Sequence, residues 1–271
     1  MRRFNRVFTV LVFIFLYIPM IVLAVASFNK GMDIAVFKGF TFDRYKELFR
    51  DSSLLTLLRN SLVISVLASL LATVLGTAAP IGIYKMRGRV RSAVMTLTNI
   101  PMTNPEIVTG VSMALLFAFA GMMLRINSIL GFWTLLIAHI TFNLPYIILN
   151  VMPKLAQMDP DLTEAALDLG CTPVQAFFKV ILHEIMPGII SGMLMAFTMS
   201  LDDFVISYFV TGSGFVTLPV EIYSYTKKPI QPKVYALFTL MFLVILLIMT
   251  TMNLLQARDK SHRQKQRRAA K

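Results

Sequence analysis

The chain has 271 residues, 56% of them hydrophobic and 15% charged, with a formal net charge of +12 and a mean hydropathy of +0.71. A soluble domain carries about 25% charged and 45–50% apolar residues, and a single buried core cannot absorb the excess at this length, so the composition points to an integral membrane protein. One cysteine, Cys171, and only 25 glycines and prolines together exclude a disulfide scaffold and a collagen.

A membrane helix needs about 20 mostly apolar residues, and six stretches qualify. In chain order they are Val7–Phe28, Asn60–Tyr84, Ser92–Leu124, Ile126–Pro153, Gly188–Phe209 and Val234–Ala257. The first follows Arg2, Arg3 and Arg6 as a signal peptide would, but it is 22 residues long and lacks a convincing small-x-small cleavage site, so it reads as a retained helix. With the N-terminus inside, the inner segments hold sixteen Lys and Arg against ten outside, which favours both termini in the cytoplasm. The outer loop Asn29–Arg59 balances its six bases with Asp33, Asp43, Glu47 and Asp51 and is expected to be a small folded element. The basic tail, residues 258–271, reads as a stop signal that binds lipid headgroups, not nucleic acid. No repeat of 20–50 residues occurs, so residues 1–271 read as one transmembrane domain.

The inner loop, residues 154–186, reads as two short helices. A helical stretch Thr163–Leu169 ends at Gly170, where a left-handed residue is wanted, and Thr172 then caps a second helix with Pro173 at its first position. Two packed short helices on the inner face form a rigid docking knob. Gly188, Gly192 and Ala196 make a small-residue face suited to close helix packing, within the chain or against a second subunit.

No Gly-x-x-x-x-Gly-Lys-Ser/Thr loop occurs, and His139, His183 and His262 lack partners at metal-ligand spacing. His139 lies inside a span and reads as a polar contact between helices. Carboxylates inside the bilayer are costly, about 2.5–3.5 kcal/mol each at mid-helix, and so mark functional sites. Three occur: Glu106, Asp202 and Asp203. Glu106 follows Pro101 and Pro105, which remove backbone donors and should break the helix beside a cavity. Asp202 and Asp203 are about 100° apart around a helix, so one can face a cavity and the other a neighbouring helix. A negative cavity suits a cationic solute; the other reading is acids paired with a base on a neighbouring helix or subunit. Tyr208, Tyr223 and Tyr225 could offer aromatic faces to an ammonium group, or serve as an interfacial belt.

The inner loop reads Glu164-Ala165-Ala166, three residues, then Gly170, followed by Val180 and Leu182. It resembles the signature of ABC importer permeases, with His183 where that family usually has Pro. Leu16–Met20, Ser27–Asn29, Gly131–Trp133, His139–Phe142, Phe197–Asp203 and Phe209–Gly212 extend the likeness along the chain, towards the spermidine/putrescine permeases of the C type. The resemblance implies an all-α fold of six transmembrane helices, the MetI-like fold of type I importers, in a cell membrane. It implies a transporter subunit and no enzyme, with polyamine as cargo. The partners it implies are a second permease, two ATP-binding subunits and an extracytoplasmic polyamine-binding protein, with ATP and Mg held by the ATPase and no cofactor in this chain. Carried over, Glu164, Ala165, Ala166 and Gly170 are the ATPase-docking residues, although Glu164 could simply cap or pair locally. Glu106, Asp202, Asp203 and Tyr223 are the substrate-pathway candidates. The alternatives are a permease for ferric iron, thiamine or an opine, and an intramembrane aspartyl protease using Glu106 or another acid with Asp203.

Overall fold

The computed structural model describes residues 2–31, 36–126, 129–212, 214–226 and 231–269. Six helices among them are long and apolar enough to cross a membrane: Arg6–Ser27, Ser52–Tyr84, Glu106–Leu124, Phe132–Gln157, Pro173–Asp202 and Pro232–Thr251. The chain packs as two compact units, residues 1–56 with 225–271, and residues 57–224.

In the first unit, α1 (Arg2–Ser27) packs with α12 (Pro232–Ala269). The expected folded element follows α1. The Asn29 amide donates to Val36 O at 2.9 Å while its Oδ1 accepts from the amides of Gly31 and Lys38, closing the loop on one side chain. The Phe28 ring stacks on Phe40 at 5.0 Å and meets Phe42 edge-on, and Ser27 Oγ reaches the Tyr45 hydroxyl at 2.8 Å. Thr41 Oγ1 caps α2 (Asp43–Arg50) by accepting from the Asp43 amide.

Asp51 Oδ1 caps α3 (Ser52–Tyr84), accepting from the amides of Ser53 and Leu54, and Oδ2 takes a 2.7 Å bond from Lys233 Nζ on α12. The Lys233 hydrogen bond, foremost, holds the Asp51 carboxyl well below the usual carboxylate range. A carboxyl lowered on folding stabilises fully above its unfolded value near 4, and that stability goes only as pH falls through the lower folded value. The pair's contribution is therefore expected to be flat from pH 8 to pH 5. Asp51→Asn should cost about 0.5–1 kcal/mol, as a partly exposed ion pair does, read as a melting temperature lowered equally at both pH values.

In the second unit, α6 (Phe132–Gln157) is the most enclosed of the six spans. Its Leu135, Ala138 and Phe142 meet Ile64 and Ala68 of α3 and Ile206 and Val210 of α10 (Val205–Val210). Its Ile147, Val151 and Leu155 meet Ala72 of α3 and Ile185, Ile189 and Ala196 of α9 (Leu182–Asp202). The small-residue face is spent inside the chain. A Cβ on Gly188 would lie 2.7 Å from Asn150 O, and one on Gly192 would lie 3.1 Å from Ile147 Cα, so the bare glycines let α9 sit directly on the α6 backbone.

Beside the α3 residues that meet α6 runs a polar stripe with its own period, which the sequence reading missed. Ser61, Ser65, Ser69, Thr73 and Thr77 recur every four residues and all are buried. Ser65 and Thr73 return their hydroxyls to the carbonyls of Ser61 and Ser69, and Ser69 bonds Val66 O. These three hydroxyls are satisfied within their own helix, whereas Ser61 Oγ accepts from the Leu218 amide at 2.8 Å and the buried Thr77 hydroxyl has no partner among the described residues.

The expected third span divides. α4 (Gly88–Thr103) ends before Asn104 and Pro105, and α5 (Glu106–Leu124) starts anew, because Pro105 brings no amide and its extended ψ of 131° leaves the helix. The fifth span also differs from expectation. It begins at Pro173 and ends at Asp202, and Asp203 is extended, so Val205–Val210 forms a separate short helix.

Candidate functional site

α5 packs on α10 through Gly110, whose absent Cβ would otherwise sit 2.9 Å from the Phe209 ring and 3.4 Å from Val205 O. One turn before Gly110, Glu106 opens α5, where the positive end of the helix favours an acid. Its side chain is exposed, and it lies within electrostatic range of Asp202 and of Tyr146 on α6. Asp202 is the last residue of α9 and is exposed as well. Two of the three acids thus stand exposed at the broken ends of two helices, within electrostatic range of each other.

Asp203 is buried, unlike the other two acids. It is only 9% exposed, its Oδ1 accepts from the Ile206 amide at 3.2 Å, and its Oδ2 accepts from the Ser207 amide at 2.7 Å. These are the unpaired donors of the first turn of α10, so the buried carboxylate caps that helix. His139 Nε2 stands 3.4 Å from Oδ2. Both Asp203 oxygens are thus occupied by the protein in this conformation. The imidazole also meets Ser200 Oγ through Nδ1 and Ser207 Oγ through Nε2 at 3.1 Å, so His139 is the interhelical polar contact that the sequence suggested.

Tyr223, on α11 (Leu218–Thr226), joins an aromatic cluster. Its ring centroid is 4.4 Å from that of Phe204 and 6.0 Å from that of Tyr208, and both tyrosines are partly exposed. Phe204 follows the acid pair directly, so the cluster flanks the α9–α10 break.

The inner loop forms as expected at its turn. α7 (Asp161–Asp168) closes with the Cys171 amide on Ala166 O and the Gly170 amide on Leu167 O, and Gly170 has φ +84°. Thr172 Oγ1 accepts from the Gln175 amide and Gln175 Oε1 accepts from the Thr172 amide, a reciprocal cap on α8 (Pro173–Ala176). The second helix does not stop there. It runs through a π-helical turn, Phe177–Ile181, straight into α9, and passes His183 without a break. Glu164 and Ala165 are exposed, and Ala166 is buried, its small side chain packed within the loop. The loop surface is mixed, with Leu169 86% exposed and Val174 and Phe178 outward beside the exposed Asp161, Glu164, Asp168 and Lys179.

A family model described as "Binding-protein-dependent transport system inner membrane component" matches residues 72–261. The chain belongs to this family. The permease is 38% identical over 264 residues to the spermidine/putrescine transport system permease protein PotC of Haemophilus influenzae, which covers 97% of this chain and 100% of that one. It is 38% identical over 229 residues to the putrescine transport system permease protein PotI of Escherichia coli K12, covering 84% and 82%. Among solved structures, a bacterial ABC transporter involved in import of the acidic polysaccharide alginate shares its fold, with a TM-score of 0.71 at 16% identity over 94% of each chain. The MetNI methionine ABC transporter matches with a TM-score of 0.59 at 19% identity, over 77% of this chain and 98% of that one. The permease is thus a multi-pass, all-α membrane subunit of a binding-protein-dependent ABC transport system and is no enzyme.

In this permease Gly170→Ala should cost about 1 kcal/mol, since a Cβ is strained at positive φ although nothing crowds the site. The expected readout is faster amide exchange across Asp161–Leu169, with exchange across α6 unchanged.

Proposed function

We propose that the chain is a permease subunit of an ATP-driven importer of polyamines. The likeness to PotC along nearly the whole length carries this reading, and the exposed acid pair supports it: a polyamine is a flexible chain of ammonium groups, and Glu106 and Asp202 set two negative charges at the membrane breaks. The aromatic faces of Tyr208 and Tyr223 suit the same cargo. The subunit pairs with a second permease, receives polyamine from an extracytoplasmic binding protein, and keeps both termini in the cytoplasm, as the Lys and Arg count favours.

Two ATP-binding subunits, which hold ATP and Mg, dock on the loop of Glu164, Ala165 and Gly170. Closure of their dimer on ATP moves α7 as a rigid body, and α6 and α9, which carry the loop at their ends, pass the motion to the acids. Coupling requires that ATP and the docked binding protein favour the same state, since each ligand shifts the equilibrium only by its differential affinity.

The test is ATP-dependent uptake of labelled spermidine and putrescine into vesicles holding the assembled complex. Saturable uptake supports the reading. An assembled complex that hydrolyses ATP in response to its binding protein yet accumulates neither polyamine would overturn the cargo.

A further inference from the structure

The α9–α10 break closes the fifth span at Asp202, has no proline or glycine of its own, and leaves buried amides that must find acceptors within the protein. Asp203 supplies the two acceptors. What fixes Asp203 comes from another helix: His139 of α6 touches Ser200, one turn before the break, through Nδ1, and both Asp203 and Ser207, at and after the break, through Nε2. Nε2 faces the carboxylate and can donate to it, while Nδ1 meets the Ser200 hydroxyl, which can give or take a hydrogen bond. One imidazole thus fastens both helix stubs. All four side chains are buried, which leaves no water to compete for these bonds.

We infer that His139 is a positioning residue: with Asp203 it forms a latch that sets the direction in which the adjacent Asp202 carboxylate is presented. This rests on the proposed role of Asp202 as a cargo acid and deepens it. α6 ends at Gln157, three residues before α7, and α9 continues the loop's second helix, so the latch joins to the acid the same two helices that carry the loop. Asp203 is itself the neighbour of Asp202 in the chain. A change of the ring's hold on Asp203 therefore turns Asp202, without His139 touching the cargo.

The test reads position independently of cargo. In the full-length chain assembled in its complex, with Cys171→Ser as background, Asp202→Cys is modified by a water-soluble cationic thiosulfonate. Adding His139→Ala is expected to change the modification rate at least 5-fold, and Ser200→Ala, which removes one anchor and leaves no buried charge, about 2- to 3-fold. His139→Gln, with a donor and an acceptor at similar reach, should restore most of the wild-type rate. Asp203→Asn combined with His139→Ala should change the rate no more than either alone. A rate unaltered in Ser200→Ala and in His139→Ala, or in Ser200→Ala and His139→Gln where His139→Ala fails to assemble, overturns the latch, as does an additive double variant. The uptake assay fails separately if polyamine is not the cargo.

Discussion

Gly188→Leu is expected to lower the melting temperature of the detergent-solubilised chain by roughly 6–12 °C, the equivalent of about 3 kcal/mol at this length. The position has no slack. A Cβ there meets the Asn150 carbonyl at 2.7 Å and the Lys154 side chain at 2.8 Å, and the first of these is main chain in the middle of α6, which cannot rotate away. α9 would have to back off along the α6 interface, emptying the cluster of Ile147, Val151, Ile185 and Ile189 of its partners. Gly82→Leu is the control, because nothing lies within 4 Å of a Cβ at Gly82. Equal melting of the two variants would mean that the α6–α9 approach is not a determinant of stability.

Asp202→Asn is expected to raise the concentration of polyamine needed for half-maximal uptake about 10-fold, and Glu106→Gln several-fold, at equal membrane abundance. A charge-assisted hydrogen bond is worth about 1.5–3 kcal/mol, and each 1.4 kcal/mol is tenfold in affinity. Asp202 receives the larger figure because it stands beside the Phe204, Tyr208 and Tyr223 cluster, so an ammonium group held there also meets aromatic faces. Glu106, at a helix N-terminus, already shares its charge with the helix amides. Uptake curves that overlay the wild type in both variants would move the cargo contacts to the second permease.

The inner loop was legible because its signals are local. Thr172, Pro173 and Gln175 cap one helix, and Gly170 closes another, through bonds that span three to five residues. The break at Glu106 was legible for the same reason, since Pro105 states it in the chain. The break at Asp203 carries no such mark. It is written in a histidine 61 residues before Ser200, and the sequence shows the His139 and Asp203 pieces without showing that they meet. Hence Asp203 reads as a pathway acid from composition and as a cap from structure. Ala166 has the same limit, because a small residue on a short helix signals close approach without saying by which neighbour, and its burial within the loop had no local mark. The α3 hydroxyls had a readable period of four, hidden by the strong apolar signal around them.

The α3 stripe leaves the approach to α6 to the stripe beside it. Ser65, Ser69 and Thr73 spend their hydroxyls on carbonyls of their own helix, and Ser61 is tied to the Leu218 amide. Ala68, Ala72 and Gly76, one residue before each of Ser69, Thr73 and Thr77, make a row of small side chains against α6. Ile147 fills the last of these places: a Cβ on Gly76 would lie only 2.8 Å from its Cβ and Cγ2. A side chain there would push α6 away and leave every hydroxyl bond of α3 as it is.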